Sequence, residues 1–179
     1  MQRKTLILVP LFPDKEGMLT FLAAQLSKTF PFSVQIAPAA PVPERAFHKG
    51  RKQYQAEVVL QQVCKMRPRI KGFSLLVADQ DLYVPGLNFV FGLAEPHRRA
   101  AIISLARLRQ EFYGLPADRE LFRQRALKEA VHELGHLLGL PHCPEPRCVM
   151  HFSNSLADTD FKSARFCPRC LKKLKQISE

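Results

Sequence analysis

Eleven consecutive residues, His132-Glu133-Leu134-Gly135-His136-Leu137-Leu138-Gly139-Leu140-Pro141-His142, carry three imidazoles and one carboxylate at spacings that suit a metal ion. On a helix, positions i and i+4 lie one turn apart on one face, so His132 and His136 can reach the same ion. Glu133 is turned about 100° from His132, which places its carboxylate beside the ion, able to take a proton from bound water instead of binding metal. Gly139 and Pro141 supply a helix stop and a bend, after which the chain can return His142 as a third ligand. Three neutral imidazoles leave the fourth tetrahedral position to water, as in a catalytic zinc site. Zinc lowers the pKa of that water from 15.7 toward roughly 7, so hydroxide is available to attack a polarised carbonyl. Peptide-bond hydrolysis is the natural reaction. The bland alternative, histidines that cap or pack a helix, is weakened by the G-x-x-H extension, which completes a zinc-peptidase pattern.

A second constellation begins at the next residue. Cys143, Cys148, Cys167 and Cys170 are separated by four, eighteen and two residues, and four thiolates make a saturated, closed zinc site of structural type. Disulfides compete with this reading only in an exported protein. Neighbouring side chains diverge along an extended backbone, so His142 can face one metal while Cys143 faces the other. Coupling between the two sites is expected. The fifth cysteine, Cys64, reads as a small apolar residue of a helix.

These groups need elements to hold them. A long helix starting near Asp118, with Leu121, Phe122, Leu127, Ala130, Val131, Leu134, Leu137 and Leu138 as its apolar stripe, would carry the first motif against a sheet. Upstream, Thr5 to Leu11, Phe32 to Ala37, Phe73 to Ala78, Leu87 to Phe91 and Ala100 to Leu105 read as strands. Glu16 to Lys28 and a segment with Tyr54, Val58, Val59, Gln62, Val63 and Met66 read as helices, the second ended by Arg67-Pro68. This order predicts an α/β fold with most helices inserted early. Pro38, Pro41 and Pro43 form a stiff connector within the domain.

At 179 residues, 46% hydrophobic and 24% charged, the chain suits one globular domain with a small appendage and excludes disorder or two large domains. The formal charge is +11, from 27 Lys and Arg against 16 Asp and Glu. Between Arg45 and Lys71 stand eight basic residues and one acid, Glu57, so a surplus of seven is local. That stretch and the tail of Lys162, Arg165, Arg169, Lys172, Lys173 and Lys175 could track phosphates, but no nucleic-acid module accompanies them. Nucleic acid is therefore an unfavoured partner. A zinc-stabilised nucleic-acid-binding protein, or an inactive interaction protein on a peptidase scaffold, is the alternative to an enzyme. The early run Thr5 to Phe12 is too short to span a bilayer and lacks a small-residue cleavage site. With crowded, metal-type cysteines, this predicts a cytoplasmic protein without membrane partners, expected to be a monomer.

The stretch His132 to Cys170, 39 residues, resembles the archaemetzincins, a branch of the metzincin zinc metallopeptidases. Their signature joins the extended zinc motif to a four-cysteine site. The resemblance implies two zinc ions per chain: a catalytic one on His132, His136 and His142 with Glu133 as the base, and a structural one on Cys143, Cys148, Cys167 and Cys170. It also implies that Met150 is the methionine of a Met-turn beneath the catalytic zinc. His151 to Ser155 and Gly92 to Glu95 resemble family segments more weakly. The implied fold is a metzincin-like twisted mixed sheet with a long active-site helix and a small zinc-stapled C-terminal part. One catalytic domain, 1–179, would divide into 1–142 with sheet and helix and 143–179 with the cysteine site and Met-turn. Leu87 to Phe91 would be the antiparallel edge strand that pairs with a peptide, and no secretory signal or inhibitory pro-segment is expected. An aminopeptidase would also need a carboxylate for the substrate amine, for which Glu95, Asp79 and Asp81 are candidates. His48, His97 and His151 have no ligand spacing.

Overall fold

The computed structural model describes residues 4–66 and 72–178. In chain order the elements are strand β1 (Lys4–Pro10), helix α1 (Met18–Thr29), β2 (Phe32–Ile36), β3 (Phe47–His48), β4 (Gln53–Gln55), α2 (Ala56–Met66) and β5 (Gly72–Ala78). They continue with β6 (Leu82–Tyr83), β7 (Gly92–Glu95), β8 (Ala100–Ser104), α3 (Arg119–Leu137), α4 (Leu156–Phe161) and α5 (Pro168–Ser178). The expected α2 terminator, Arg67-Pro68, lies outside the described residues, and Tyr54 belongs to β4 instead of the helix.

The main sheet has the order β2-β1-β5-β8-β7, parallel except for β7, which runs antiparallel to β8 at the edge. Parallel neighbours require crossover connections; α1 lies between β1 and β2 and α2 precedes β5, and with α3 these helices bury both faces of the central strands. The alternation is visible residue by residue. Leu6, Leu8, Leu75, Val77, Ala101 and Ile103 pack into a core shared with α1 and α3. Val9, Leu76, Ala78, Ala100 and Ile102 point to the opposite face, against α2. Cys64 on α2 packs on that second core and is partly buried. A smaller sheet, β3-β4-β6, lies beside this framework.

The expected edge strand at Leu87 to Phe91 is not a strand. Val90 makes one isolated bridge to Leu82, and the edge is β7, immediately downstream. Two causes separate the sequence pattern from the outcome. The Arg51 guanidinium donates to the carbonyls of Leu87 and Asn88, both at 2.8 Å, which removes those acceptors from any ladder. Phe89 stacks edge-on against Phe91 and under Arg107, so the aromatic run serves packing. β7 itself, Gly-Leu-Ala-Glu, has little β propensity, and its pairing with β8 makes it a strand.

Helix α3 begins where Asp118 caps it, its carboxylate accepting from Leu121 N–H at 2.9 Å. It ends at a left-handed Gly139, φ +89°, with Gly139 N–H bonded to His136 O and Leu140 N–H bonded to Gly135 O. A glycine in that conformation closes a helix without strain on a Cβ.

Candidate metal centre and catalytic cleft

The 19-residue α3 carries His132 and His136 one turn apart, and the reversal after Gly139 brings His142 to them. The candidate ligand atoms of all three lie within 4.8 Å of one another. Each helical imidazole is held from behind. His132 Nδ1 is 2.8 Å from Val149 O and His136 Nδ1 is 2.8 Å from Leu140 O. A carbonyl accepts only, so each Nδ1 carries the proton and each Nε2 presents a lone pair. These two Nε2 atoms face each other at 3.1 Å. Two lone pairs at that separation repel unless a cation lies between them, and a tetrahedral zinc with bonds of about 2.0–2.1 Å sets ligand nitrogens roughly 3.3–3.4 Å apart. Burial holds all three imidazoles below their ordinary pKa, His132 down to about 2, which keeps them neutral as ligands must be.

Glu133 is buried, and burial followed by the neighbouring Glu129 pushes its carboxyl above the usual range, against the pull of Lys162. Its side chain lies against the Cα of Gly92 on β7: a Cβ there would come 2.5 Å from Glu133 Oε1. Gly135 has the corresponding role on the helix, where an added Cβ would run into Met150 Sδ. Met150 is fully buried against Gly135, which lies between the two helical histidines in sequence. In the sequence these glycines stood out only as parts of longer segments, Gly92 to Glu95 and the histidine motif, with no role of their own. Gly135 sits inside the motif, whereas Gly92 has no local signal because its constraint comes from a residue 41 positions away.

The four cysteines form the second cluster, their sulfurs also within 4.8 Å of one another. Cys143 and Cys167 sulfurs are 3.7 Å apart and those of Cys148 and Cys170 are 3.8 Å apart. A disulfide needs about 2.05 Å, whereas a tetrahedron with Zn–S of about 2.3 Å has edges of roughly 3.8 Å. Burial raises the Cys148 and Cys170 thiols. At Cys167 burial also pushes up, but the Cys170 backbone N–H and the three neighbouring thiols outweigh it and bring the group down to about 7. The donor set fits zinc.

The two clusters share a frame. Val149, whose carbonyl orients His132, follows Cys148, and Cys143 N–H donates to Met150 O at 2.9 Å. His151 joins neither cluster; its Nδ1 donates to Cys143 O at 2.9 Å. His48 accepts from Arg51 N–H, and exposed His97 lies near Glu95.

The histidines open into a cavity of about 710 Å³, bounded by the 87–94 segment, α3 and residues 152–154. None of the three carboxylates considered for amine binding lines it. Glu95 is paired with Arg98, Asp81 forms a two-pronged pair with Arg107 at 2.7 and 2.8 Å, and Asp79 pairs with Arg109 at 3.2 Å. The carboxylates that do line it are Glu129 and Glu133. The basic stretch is partly structural too: besides gripping Leu87 and Asn88, Arg51 lies over the Tyr83 ring at 4.3 Å.

A parallel sheet with one antiparallel edge, a cleft along that edge and an H-E-x-x-H helix beneath it define a metal-dependent peptidase. The sequence model of Peptidase family M54 matches residues 26–176. The chain belongs to that family, the archaemetzincins, which are zinc metallopeptidases. Archaemetzincin of Pyrococcus furiosus is 44% identical over 180 residues, covering 97% of this chain and 94% of its own length. Archaemetzincin of Methanocaldococcus jannaschii is 44% identical over 165 residues, covering 92% and 89%. Among solved structures, a zinc-dependent peptidase from Methanocorpusculum labreanum matches with TM-score 0.87 at 33% identity, covering 94% of this chain and 99% of that one. Archaemetzincin from Archaeoglobus fulgidus, complexed with malonate, matches with TM-score 0.82 at 40% identity over the same shares.

Proposed function

We propose that this chain hydrolyses peptide bonds, with zinc held by His132, His136 and His142 and a second, structural zinc held by Cys143, Cys148, Cys167 and Cys170. The observation that carries the reading is the pair of Nε2 lone pairs meeting at 3.1 Å at the floor of a cleft that also contains Glu133. When bound, zinc supplies Lewis acidity, acidifying water and polarising a carbonyl. Glu133 takes the proton from the attacking water, a step favoured by the proton affinity that burial gives its carboxyl, and returns it to the more basic departing amine. β7 is the edge strand along which an extended peptide would align its backbone. Met150 supports the floor under the histidine turn.

Residues 1–179 act as one catalytic domain in this reading, 1–142 providing sheet and helix and 143–179 the stapled base. The engagement of Glu95, Asp79 and Asp81 by arginines removes those anchors for a substrate amine, which favours cleavage within peptides over aminopeptidase action. Free thiols arranged for metal suit a reducing, cytoplasmic setting, and among the described residues no helix is long and apolar enough to cross a membrane. A monomer acting on peptide or protein substrates is sufficient for the chemistry.

Metal analysis should return two zinc per chain. A peptide-library digest should show cleavage that Glu133→Ala abolishes while zinc content stays at two. Zinc retained without cleavage of any library member, together with salt-sensitive nucleic-acid binding, reverses the reading.

A further inference from the structure

The cavity has a second acidic wall that the proposed chemistry does not use. Glu129 lies one turn before Glu133 on α3, so both carboxylates occupy one helix face, and both line the cavity. Glu129 is 3% exposed. Its Oε1 takes Lys162 Nζ at 3.1 Å and the Thr159 hydroxyl at 3.1 Å. A carboxylate offers about four lone-pair sites, so acceptor capacity is left for the cavity. The ammonium of Lys162, whose side chain is fully buried, also donates to His151 O at 3.4 Å. That bond ties His151, which precedes the cavity-lining residues Phe152, Ser153 and Asn154, to the ammonium that pairs with Glu129. Among them, Ser153 lines the cavity, and its buried Oγ has no hydrogen-bond partner. A buried hydroxyl left unsatisfied costs free energy that a ligand group can recover.

Charge decides which group. Lys162 already balances Glu129, so that carboxylate offers acceptors without adding a net negative charge of its own. A second cation would be brought toward a buried ammonium, whereas an uncharged donor would not. The rest of the cavity is mainly apolar, with Val90, Leu93, Leu140 and Phe152 along it, which suits a methylene stem. We infer that the Glu129 and Ser153 end of the cleft is a specificity subsite for a substrate side chain with an apolar stem ending in an uncharged hydrogen-bond donor, glutamine being the best fit among the common residues. This rests on the peptidase reading and narrows its substrate class.

The test uses peptides of one sequence, varied in turn on each side of the cleaved bond to Gln, Leu, Lys or Glu. Two readouts are needed: kcat/KM with the zinc-loaded wild-type protein, and affinity for zinc-loaded Glu133→Ala protein by titration calorimetry, which needs no turnover. At one flanking position Gln should exceed Leu by roughly tenfold, the worth of one well-made hydrogen bond, with Lys below Gln and Glu weakest. Ser153→Ala should pull the Gln-to-Leu ratio toward one while its melting temperature stays at the parent value, because the hydroxyl has no partner in the fold to lose. Glu129→Gln, which keeps shape and hydrogen bonding to Lys162, should also reduce the ratio. Leu matching Gln in both readouts, Lys exceeding Gln, Ser153→Ala keeping the full preference, or no binding of any peptide each overturns the subsite. Preferential binding of the Gln peptide without turnover by the wild-type protein overturns the peptidase reading and leaves the subsite standing.

Discussion

The histidine cluster and the cysteine cluster are separated by one peptide bond, His142 to Cys143, yet they face opposite conditions. Along the histidines burial falls steadily, from buried His132 through half-buried His136 to exposed His142, and the cluster opens into about 710 Å³. Of the cysteines, Cys143, Cys148 and Cys170 are buried and Cys167 is half-buried, and the cavity beside them is only about 80 Å³. Three nitrogens at the edge of a cleft leave room for a reacting group; four sulfurs closing on one another leave none. Reactivity therefore follows from access as much as from ligand type, and the closed site holds the backbone that aims the open one.

The sharpest way to break this contrast is at the base. Glu133→Ala should lower kcat by about 10²–10⁴, the usual range for a positioned general base, with zinc content unchanged by elemental analysis; loss of metal instead would make Glu133 a ligand. Next comes the coupling. Cys143→Ser or Cys170→Ser should weaken metal at both clusters, because Cys143 N–H and the Cys148-Val149 segment carry hydrogen bonds that fix Met150 and His132. Retention of full affinity at the histidine site with loss of a single equivalent would falsify the shared frame.

Chelation should separate the sites in time. Under a competing chelator, the open cluster should release its metal in a faster phase that tracks loss of cleavage, and the closed cluster in a slower phase that tracks the fall in melting temperature. The reverse order would remove the distinction between them. A smaller effect is expected from Gly135→Ala. Alanine is favoured over glycine in a helix by about 1 kcal/mol, but its Cβ meets Met150 Sδ, and overpacking of that kind costs about 1–3 kcal/mol. Thermal denaturation should show net destabilisation, and a stabilised variant would mean that Met150 yields freely.

The smallest effect lies away from both clusters. The Ser155 hydroxyl, with backbone N–H groups of Ser155 and Asn154, holds the Asp158 carboxyl below its ordinary 3.8. Folding thus favours the ionised form, so its contribution is fully present above the unfolded value, 3.8, and is lost as pH falls through the folded one. Asp158→Asn should lower stability slightly at neutral pH, since it weakens the reciprocal cap with Ser155, and flatten that acid limb of the melting profile, without altering metal content.

How far the sequence reached differs between the two halves of the site. The two candidate ligand clusters were legible because their key spacings are local: a helical i,i+4 pair, a glycine stop and Cys-x-x-Cys. Asp118 and Gly139 were legible for the same reason, since caps act within a turn. The edge strand was not. Leu87 to Phe91 has the apolar run of a strand, but Arg51, 36 residues away from Leu87, takes its carbonyls, and the weak sequence of β7 pairs because β8 is beside it. Glu129 likewise looks like an ordinary exposed helix residue until Lys162 and Thr159 arrive from α4 and its C-terminal end.

By itself, then, the sequence determined the candidate chemistry: which side chains gather as possible metal ligands, which carboxylate stands beside them, and where the helix that carries them starts and stops. These depend on spacings of a few residues, fixed by backbone geometry. Only the tertiary structure decided which strand borders the cleft, why Gly92 and Gly135 must lack a side chain, and which buried groups surround Glu133. Those outcomes depend on contacts between segments tens of residues apart, whose approach is set by packing of the whole sheet and its helices and leaves no periodic trace in the chain.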